Sequence, residues 1–321
     1  MEISKEEYLQ NVLNSNKFSH IDNLIDKYKE KRDEVKEELK NNYQSNIYNP
    51  LNSGSFAKHT AINSKFDLDI VVSFKKAAFE TLQEMFDDVF EFLNENYNDK
   101  ADIRKQKVSI GIEFFPDKDG DIISLDIVPG RELNQDQYSE DKKINLYVNL
   151  LYGTLQKKTY IQTNIQAQID HIKAKENERK VIRLLKIWKN SNQESYKSFL
   201  LELLTIKAFD KEDIKGNLWE KLKLVMQYIK NNITDEEFTL KDPGNSNNNV
   251  IETLETWERQ FLFQKMNIII NSIKSNEDNL KIYFPTNSQF DNSNNSSNLK
   301  AYGLKDTKVN FSIPPDNQRF G

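Results

Sequence analysis

The sequence predicts an α+β protein of two lobes, on three observations. Short runs rich in β-branched residues, at 67–74, 108–115 and 122–128, gather in the first half of the chain with the alternation of strands. From about Asn164 the apolar residues recur at helical spacing instead. At 321 residues the chain exceeds what one hydrophobic core commonly serves, so two lobes packed around a cleft are expected, and ligands favour such clefts.

In chain order, Ser4-Lys5-Glu6-Glu7 reads as a capping box opening a first helix. A longer helix is expected over 19–43, with Ile21, Leu24, Ile25, Tyr28, Val35 and Leu39 as its apolar stripe and its charged residues as a solvated face. Asn49-Pro50 ends it. A helix over 78–94 turns Leu82, Met85, Phe86, Val89, Phe90 and Leu93 to the core, and Asp117-Lys118-Asp119-Gly120 is a hairpin turn pairing the second strand with the third. Helical segments follow at 169–172, 181–188, 199–209 and 218–233. Lys241-Asp242-Pro243-Gly244-Asn245 interrupts them as a turn, and a helix over 250–272 resumes with Leu254, Trp257, Phe261, Leu262 and Met266 inward. Residues 287–298 read as a low-complexity flexible loop and 309–321, with Pro314-Pro315, as a tail. The expected division is a catalytic lobe with the N-terminal helices at 1–163, a helical nucleotide-binding lobe at 164–286, and loop plus tail at 287–321.

Composition narrows the chemistry. Cysteine is absent, which excludes disulfides, zinc-thiolate sites and a cysteine nucleophile. The net charge of −5 argues against an extended nucleic-acid groove. With no basic-then-apolar leader and no long uncharged apolar run, a soluble cytoplasmic protein without membrane contact is expected.

Side chains alternate faces along a strand, so in Asp67-Leu68-Asp69-Ile70-Val71-Val72 the two carboxylates share one face while Leu68, Ile70 and Val72 turn to the core. Asp126, in Ser124-Leu125-Asp126-Ile127-Val128, is set the same way. Three carboxylates at one sheet rim call for a counter-charge, and oxygen-only ligands suit Mg2+, with Mn2+ as the substitute. An Asp-x-Asp on a strand also occurs as an edge-blunting, solvated pair. Gly54-Ser55 tips the balance: Gly54 lets the backbone approach a ligand closely, and Ser55 offers a hydroxyl and an amide to a phosphate.

A Gly-Ser loop ahead of Asp-x-Asp and a third strand aspartate resembles the polymerase-β-like nucleotidyltransferases. Arg183-Leu184-Leu185-Lys186-Ile187-Trp188, then Lys197-Ser198-Phe199-Leu200-Leu201-Glu202-Leu203-Leu204-Thr205, then Asp242-Pro243 and Asn247-Asn248-Asn249-Val250, resemble the oligoadenylate synthetase and cyclic GMP-AMP synthase superfamily. The similarity spans most of 53–250, and an acidic, cysteine-free chain of this length looks most like a bacterial member, a CD-NTase similar to the DncV-like cyclic oligonucleotide synthases.

That resemblance implies a sheet lobe and a helical lobe joined by a long N-terminal spine helix, here 19–43, with the active site in the cleft between them. It implies that Asp67 and Asp69 hold a metal on the β- and γ-phosphates of a nucleoside triphosphate. With Asp126 they would hold a second metal at the acceptor hydroxyl. Gly54, Ser55, Lys186 and Ser198 would meet the triphosphate, and Phe199 would stack on a base. Read on their own, Lys186 is a solvated helix lysine and Phe199 a core ring. Glu202 and Trp188 read as packing residues. The implied product is a cyclic di- or trinucleotide made with release of pyrophosphate in anti-phage (CBASS) signalling, answered by a downstream effector. A ubiquitin-ligase-like partner acting on Gly321 is a further implied contact.

Two departures from the family pattern stand out. His59 occupies the glycine position of a Gly-Thr-Ala-Ile pattern, and Thr163-Asn164-Ile165 replaces a Thr-x-Pro turn. No zinc-ribbon insertion is present. The alternatives are a linear oligonucleotide synthetase or RNA-tailing enzyme, a nucleotidyltransferase acting on an antibiotic or protein, and an inactive nucleotide-binding module.

Overall fold

The computed structural model describes residues 3–64, 66–149 and 159–291. Ser4 caps α1 (Lys5–Ser15) by accepting from the Glu7 amide. The long helix α2 is Asp22–Tyr43, preceded by a 3-10 turn at Phe18–His20, so it starts three residues later than its pattern suggests. Ile25, Tyr28, Val35 and Leu39 form its buried stripe.

A short strand β1 (Leu51–Ser53) leads into one helical turn, α3 (Gly54–Ala57), and then into β2 (Leu68–Phe74). Next come α4 (Leu82–Tyr97), β3 (Ala101–Lys105), β4 (Ile110–Phe114) and β5 (Ser124–Glu132). Thr81 caps α4 with a full capping box to Glu84, so the helix starts four residues past the expected position. After a single turn α5 (Tyr138–Asp141) come β6 (Ile144–Tyr147) and β7 (Tyr160–Thr163).

These strands make one sheet ordered β1-β2-β5-β4-β3, with β6 pairing the far end of β5 and β7 pairing β6. The Asp117–Gly120 turn does join β4 to β5 as an antiparallel pair, with Gly120 at φ +84°. β2 and β5 run parallel, and the connection between them is long enough to return the chain in the same direction. Leu68, Ile70, Val72 and Phe74 face a core built with α2 and α4, whereas Val71 and Val128 face a smaller one with Tyr138, Ile144 and Leu146. Burial on both faces is why β2 reads as a near-continuous apolar run broken only by Asp69 and Ser73.

The second half is helical: α6 (Ile165–Lys173), α7 (Glu176–Ser191), α8 (Ser198–Lys211), α9 (Leu218–Asn232), α10 (Thr256–Ser275) and α11 (Leu280–Tyr283). The expected turn at 241–245 is a small hairpin of β8 (Lys241–Asp242) and β9 (Asn245–Asn249). Asp242 anchors it, accepting from Gln168 Nε2 at 2.9 Å, the Gly244 amide at 2.7 Å and Asn248 Nδ2 at 3.2 Å. Asn164 caps α6 through the Ala167 amide, doing with a side chain what a proline does by its fixed φ.

Three expectations need correction. α10 begins at Thr256, not 250, because Val250–Thr253 forms a 3-10 turn. Trp257 and Phe261 do not face inward: they are 61% and 51% exposed and pack edge to face on each other, while Leu262 and Met266 fill the core. On a helix, positions one apart point about 100° apart, so Phe261 and Leu262 cannot both lie on the buried stripe unless it is wide. Finally, Tyr8, Leu9, Val12 and Leu13 of α1 pack in the core of the helical lobe with α7, α8 and α9, so α1 sits with that lobe and not with the sheet. Within 287–298, Asn287 is held by Ser15 and Asn63. Residues 292–298, the tail at 309–321 and Gly321 lie outside the described residues. No helix among the described residues is long and apolar enough to cross a membrane.

Candidate active site

Asp69 and Asp126 occupy matched positions on adjacent parallel strands, so their side chains leave the sheet on the same face. Both are buried, at 5% and 2% exposure. Asp67 lies two residues before Asp69, just ahead of β2, and is half-buried. Burial, reinforced by the charges of Asp67 and Asp126, pushes the Asp69 carboxyl well above the usual carboxylate range, against the opposing pull of Lys58 and Lys186.

Gly54 closes over this carboxylate. It sits at φ +66°, and a Cβ there would lie 1.6 Å from Asp69 Oδ2, so both the backbone conformation and the space demand glycine. The turn after it is tight: the Ser55 carbonyl accepts from the amides of Thr60 at 2.9 Å and Ala61 at 3.1 Å. His59 lies inside that turn at φ +56°. This is the left-handed region, which accounts for the usual glycine at the position and makes His59 a strained replacement.

The other expected site residues come from the helical lobe. Lys186 of α7 is buried and donates to the Thr60 carbonyl at 3.1 Å and to Thr60 Oγ1 at 2.9 Å. Burial, with Lys58 and Lys189 nearby, lowers its ammonium to about 8. Ser198 begins α8, where its hydroxyl accepts from Lys189 Nζ at 3.0 Å. Phe199 is 7% exposed and packs in the helical-lobe core, with Lys58 Nζ 4.6 Å from its ring centroid. The ring expected to stack on a base is thus mostly buried, with an ammonium over its face.

Two residues of this region were not expected from the sequence. Lys58 crosses from the sheet lobe to Glu202 of α8, Nζ to Oε1 at 2.9 Å, with both side chains buried. Glu202, read from sequence as packing, is the partner of a buried charge. Helical spacing can place Glu202 one turn from Phe199, but nothing in local pattern pairs it with a loop lysine 144 residues away.

The residues fit a divalent cation by chemistry: all three donors are carboxylates, and Asp69 is destabilised as an anion by its neighbours. Among the described residues the trio with oxygens all within 4.8 Å of one another is Asp117, Asp119 and Asp121, in the β4–β5 turn. Lys27 Nζ already lies 2.6, 2.8 and 2.6 Å from those three, so that turn holds the protein's own cation and fastens α2 to the sheet.

Residues 4–139 match the family described as the Second Messenger Oligonucleotide or Dinucleotide Synthetase domain, SMODS. A CBASS oligonucleotide cyclase, CdnC of Escherichia coli (strain KTE188), is 28% identical over 209 residues. The match covers 61% of this chain and 61% of that protein, so this chain spans about three fifths of the relative's length. Among solved structures, E. coli MS115-1 CdnC in complex with HORMA-deltaN has a TM-score of 0.62 at 19% identity, covering 81% of this chain and 90% of that one. The Vibrio cholerae DncV cyclic AMP-GMP synthase, a prokaryotic cGAS homolog, has a TM-score of 0.55 at 12% identity, covering 74% of this chain and 68% of that one. The two structural likenesses carry the shared sheet-plus-helical fold.

Proposed function

We propose that the chain, which matches the SMODS family over residues 4–139 and is 28% identical over 209 residues to a CBASS oligonucleotide cyclase, is a metal-dependent nucleotidyltransferase that joins nucleoside triphosphates into a cyclic di- or trinucleotide, releasing pyrophosphate. One observation carries the reading: two buried aspartates matched across parallel strands, one of them beneath a glycine whose missing Cβ leaves room for its carboxylate.

Asp67, Asp69 and Asp126 would hold Mg2+ or Mn2+. When bound, the metal supplies positive charge to the triphosphate and lowers the pKa of the acceptor hydroxyl. The chain's own contribution is placement and charge. The Gly54-Ser55 turn presents amides and the Ser55 hydroxyl to phosphate oxygens, and Lys186 brings a cation held by Thr60 to the same turn. Ser198, with Lys189 on its hydroxyl, offers a second donor pair at the start of α8, where the helix dipole favours an anion. Neutralising the leaving pyrophosphate is the main electrostatic task of such a site.

The division of labour follows: a sheet lobe at 1–163 for catalysis, with α1 lent to the other lobe, and a helical lobe at 164–286 for nucleotide binding. The HORMA complex of the CdnC relative makes a HORMA-type protein the first partner to test. A downstream effector would read the product in the cytoplasm. The deciding experiment is incubation of the full chain with α-labelled ATP, GTP, CTP and UTP, singly and mixed, with Mg2+ or Mn2+, followed by phosphatase and mass spectrometry. A phosphatase-resistant cyclic product is expected. A linear, phosphatase-sensitive product would make the chain an oligonucleotide synthetase, and no incorporation under any condition, including with a HORMA-type protein added, would make it a binding module.

A further inference from the structure

Gln106 lies between β3 and β4, outside every motif discussed above, yet it is 1% exposed and donates from Nε2 to Asp126 Oδ1 at 3.0 Å. The carboxylate sets the orientation of the amide: an ionised Asp126 only accepts, so it takes the amide nitrogen and leaves Oε1 to a donor, which Ser109 Oγ supplies at 2.8 Å. Ser109 is itself fully buried, and its carbonyl accepts from the Gln106 amide N–H at 2.8 Å, so the two residues are locked to each other by backbone and side chain. A third residue makes room. Gly111 is the register partner of Asp126 across β4 and β5, and a Cβ there would lie 2.5 Å from Gln106 Nε2 and 3.4 Å from Asp126 Oδ1.

We infer that Gln106, oriented by Ser109 and admitted by Gly111, is a positioning residue that fixes the rotamer of the Asp126 carboxylate for metal binding. The inference rests on the metal-dependent reading of the site given above. The chemistry of the side chain fits the task. A neutral donor orients a carboxylate without bringing a cation that competes with the metal, as Lys or Arg would, and without the repulsion that Glu would create 3.0 Å away. Outer partners of metal-binding carboxylates commonly set affinity in this way, and losing one costs about 10–100-fold in metal affinity or activity. Asp69 is set differently: beside it stand Gly54, the charges of Asp67 and Asp126 and the opposing cations Lys58 and Lys186, whereas Asp126 takes a hydrogen bond from a neutral amide.

The test is Mn2+ titration of the full-length protein followed by electron paramagnetic resonance, alongside the metal dependence of turnover. Gln106→Leu, Ser109→Ala and Gly111→Ala are compared with wild type. Mn2+ affinity is expected to fall about 10–100-fold in Gln106→Leu and less in Ser109→Ala. The Mn2+ concentration for half-maximal turnover should rise in parallel while the affinity for a non-hydrolysable ATP analogue in excess Mn2+ stays near wild type. Gly111→Ala should resemble Gln106→Leu. Wild-type Mn2+ affinity in Gln106→Leu with an unchanged metal dependence overturns the positioning role. If Gln106→Leu does not fold, Ser109→Ala decides, since it removes one hydroxyl and leaves Gln106 in place: an unshifted Mn2+ affinity there also overturns the role. A wild-type protein that binds no Mn2+ and transfers no nucleotide instead fails the functional reading itself, and is thereby distinguished from failure of the Gln106 assignment alone.

Discussion

Lys58 and Glu202 form a buried ion pair at 2.9 Å that ties the turn after Gly54-Ser55 to the second turn of α8. In the opposite sense, Lys186 of α7 reaches back to Thr60 of that same turn. Each lobe thus sends one lysine into the other, and the turn that would hold phosphate is gripped from both ends.

Breaking this pair from one side should be costly. Glu202→Ala leaves the Lys58 ammonium buried without its carboxylate, and removing one partner of such a pair costs about 3–5 kcal/mol. Urea denaturation should show a loss of that size. The double variant Lys58→Met with Glu202→Leu should recover most of it, since a packed apolar pair needs no desolvation. A single-variant loss below about 1 kcal/mol would mean the pair behaves as a solvated surface bridge.

Asp67→Asn with Asp69→Asn should abolish nucleotide transfer while thermal stability holds or rises. The reason is that these substitutions relieve like-charge repulsion around a buried carboxyl already pushed towards its neutral form. Product formation at wild-type rate would remove both residues from the metal assignment.

Phe199→Ala discriminates the core ring from the base platform. Since the ring is buried in the helical-lobe core, a stability loss of about 3–5 kcal/mol is expected. Nucleotide affinity of the folded protein should be little changed. The reverse pattern, intact stability with about 1–3 kcal/mol of lost nucleotide affinity, is the signature of stacking.

Lys186 gives a pH dependence with a definite sign. Its ammonium is held at about 8 in the folded protein against 10.5 for an exposed lysine, so between those values the unfolded chain carries the extra proton. Stability then rises with pH through that window, and the burial penalty is fully present below it. Lys186→Met removes this component. The melting temperature of the wild type relative to Lys186→Met should therefore climb from pH 8 to pH 10, and a flat difference would place the lysine outside the buried, depressed state.

The sequence by itself determined the class of fold and singled out the three aspartates proposed for the site. Period-two runs gave β2, β4 and β5, helical spacing gave α4 and α7 to α9, and alternation along β2 and β5 gave the facing of Asp69 and Asp126. These are local properties, readable within a few residues. Tertiary structure alone decided that Asp69 and Asp126 are register partners, because register across a parallel pair depends on a connection whose path no local pattern encodes. It also decided that α1 joins the helical lobe, that Trp257 and Phe261 face solvent, and that Phe199 lies under Lys58. Gln106, Ser109 and Gly111 had no sequence signal at all. An amide, a hydroxyl and a glycine are ordinary neighbours in a strand-turn-strand segment, and they acquire a role only when β4 pairs with β5 and sets Gly111 opposite Asp126.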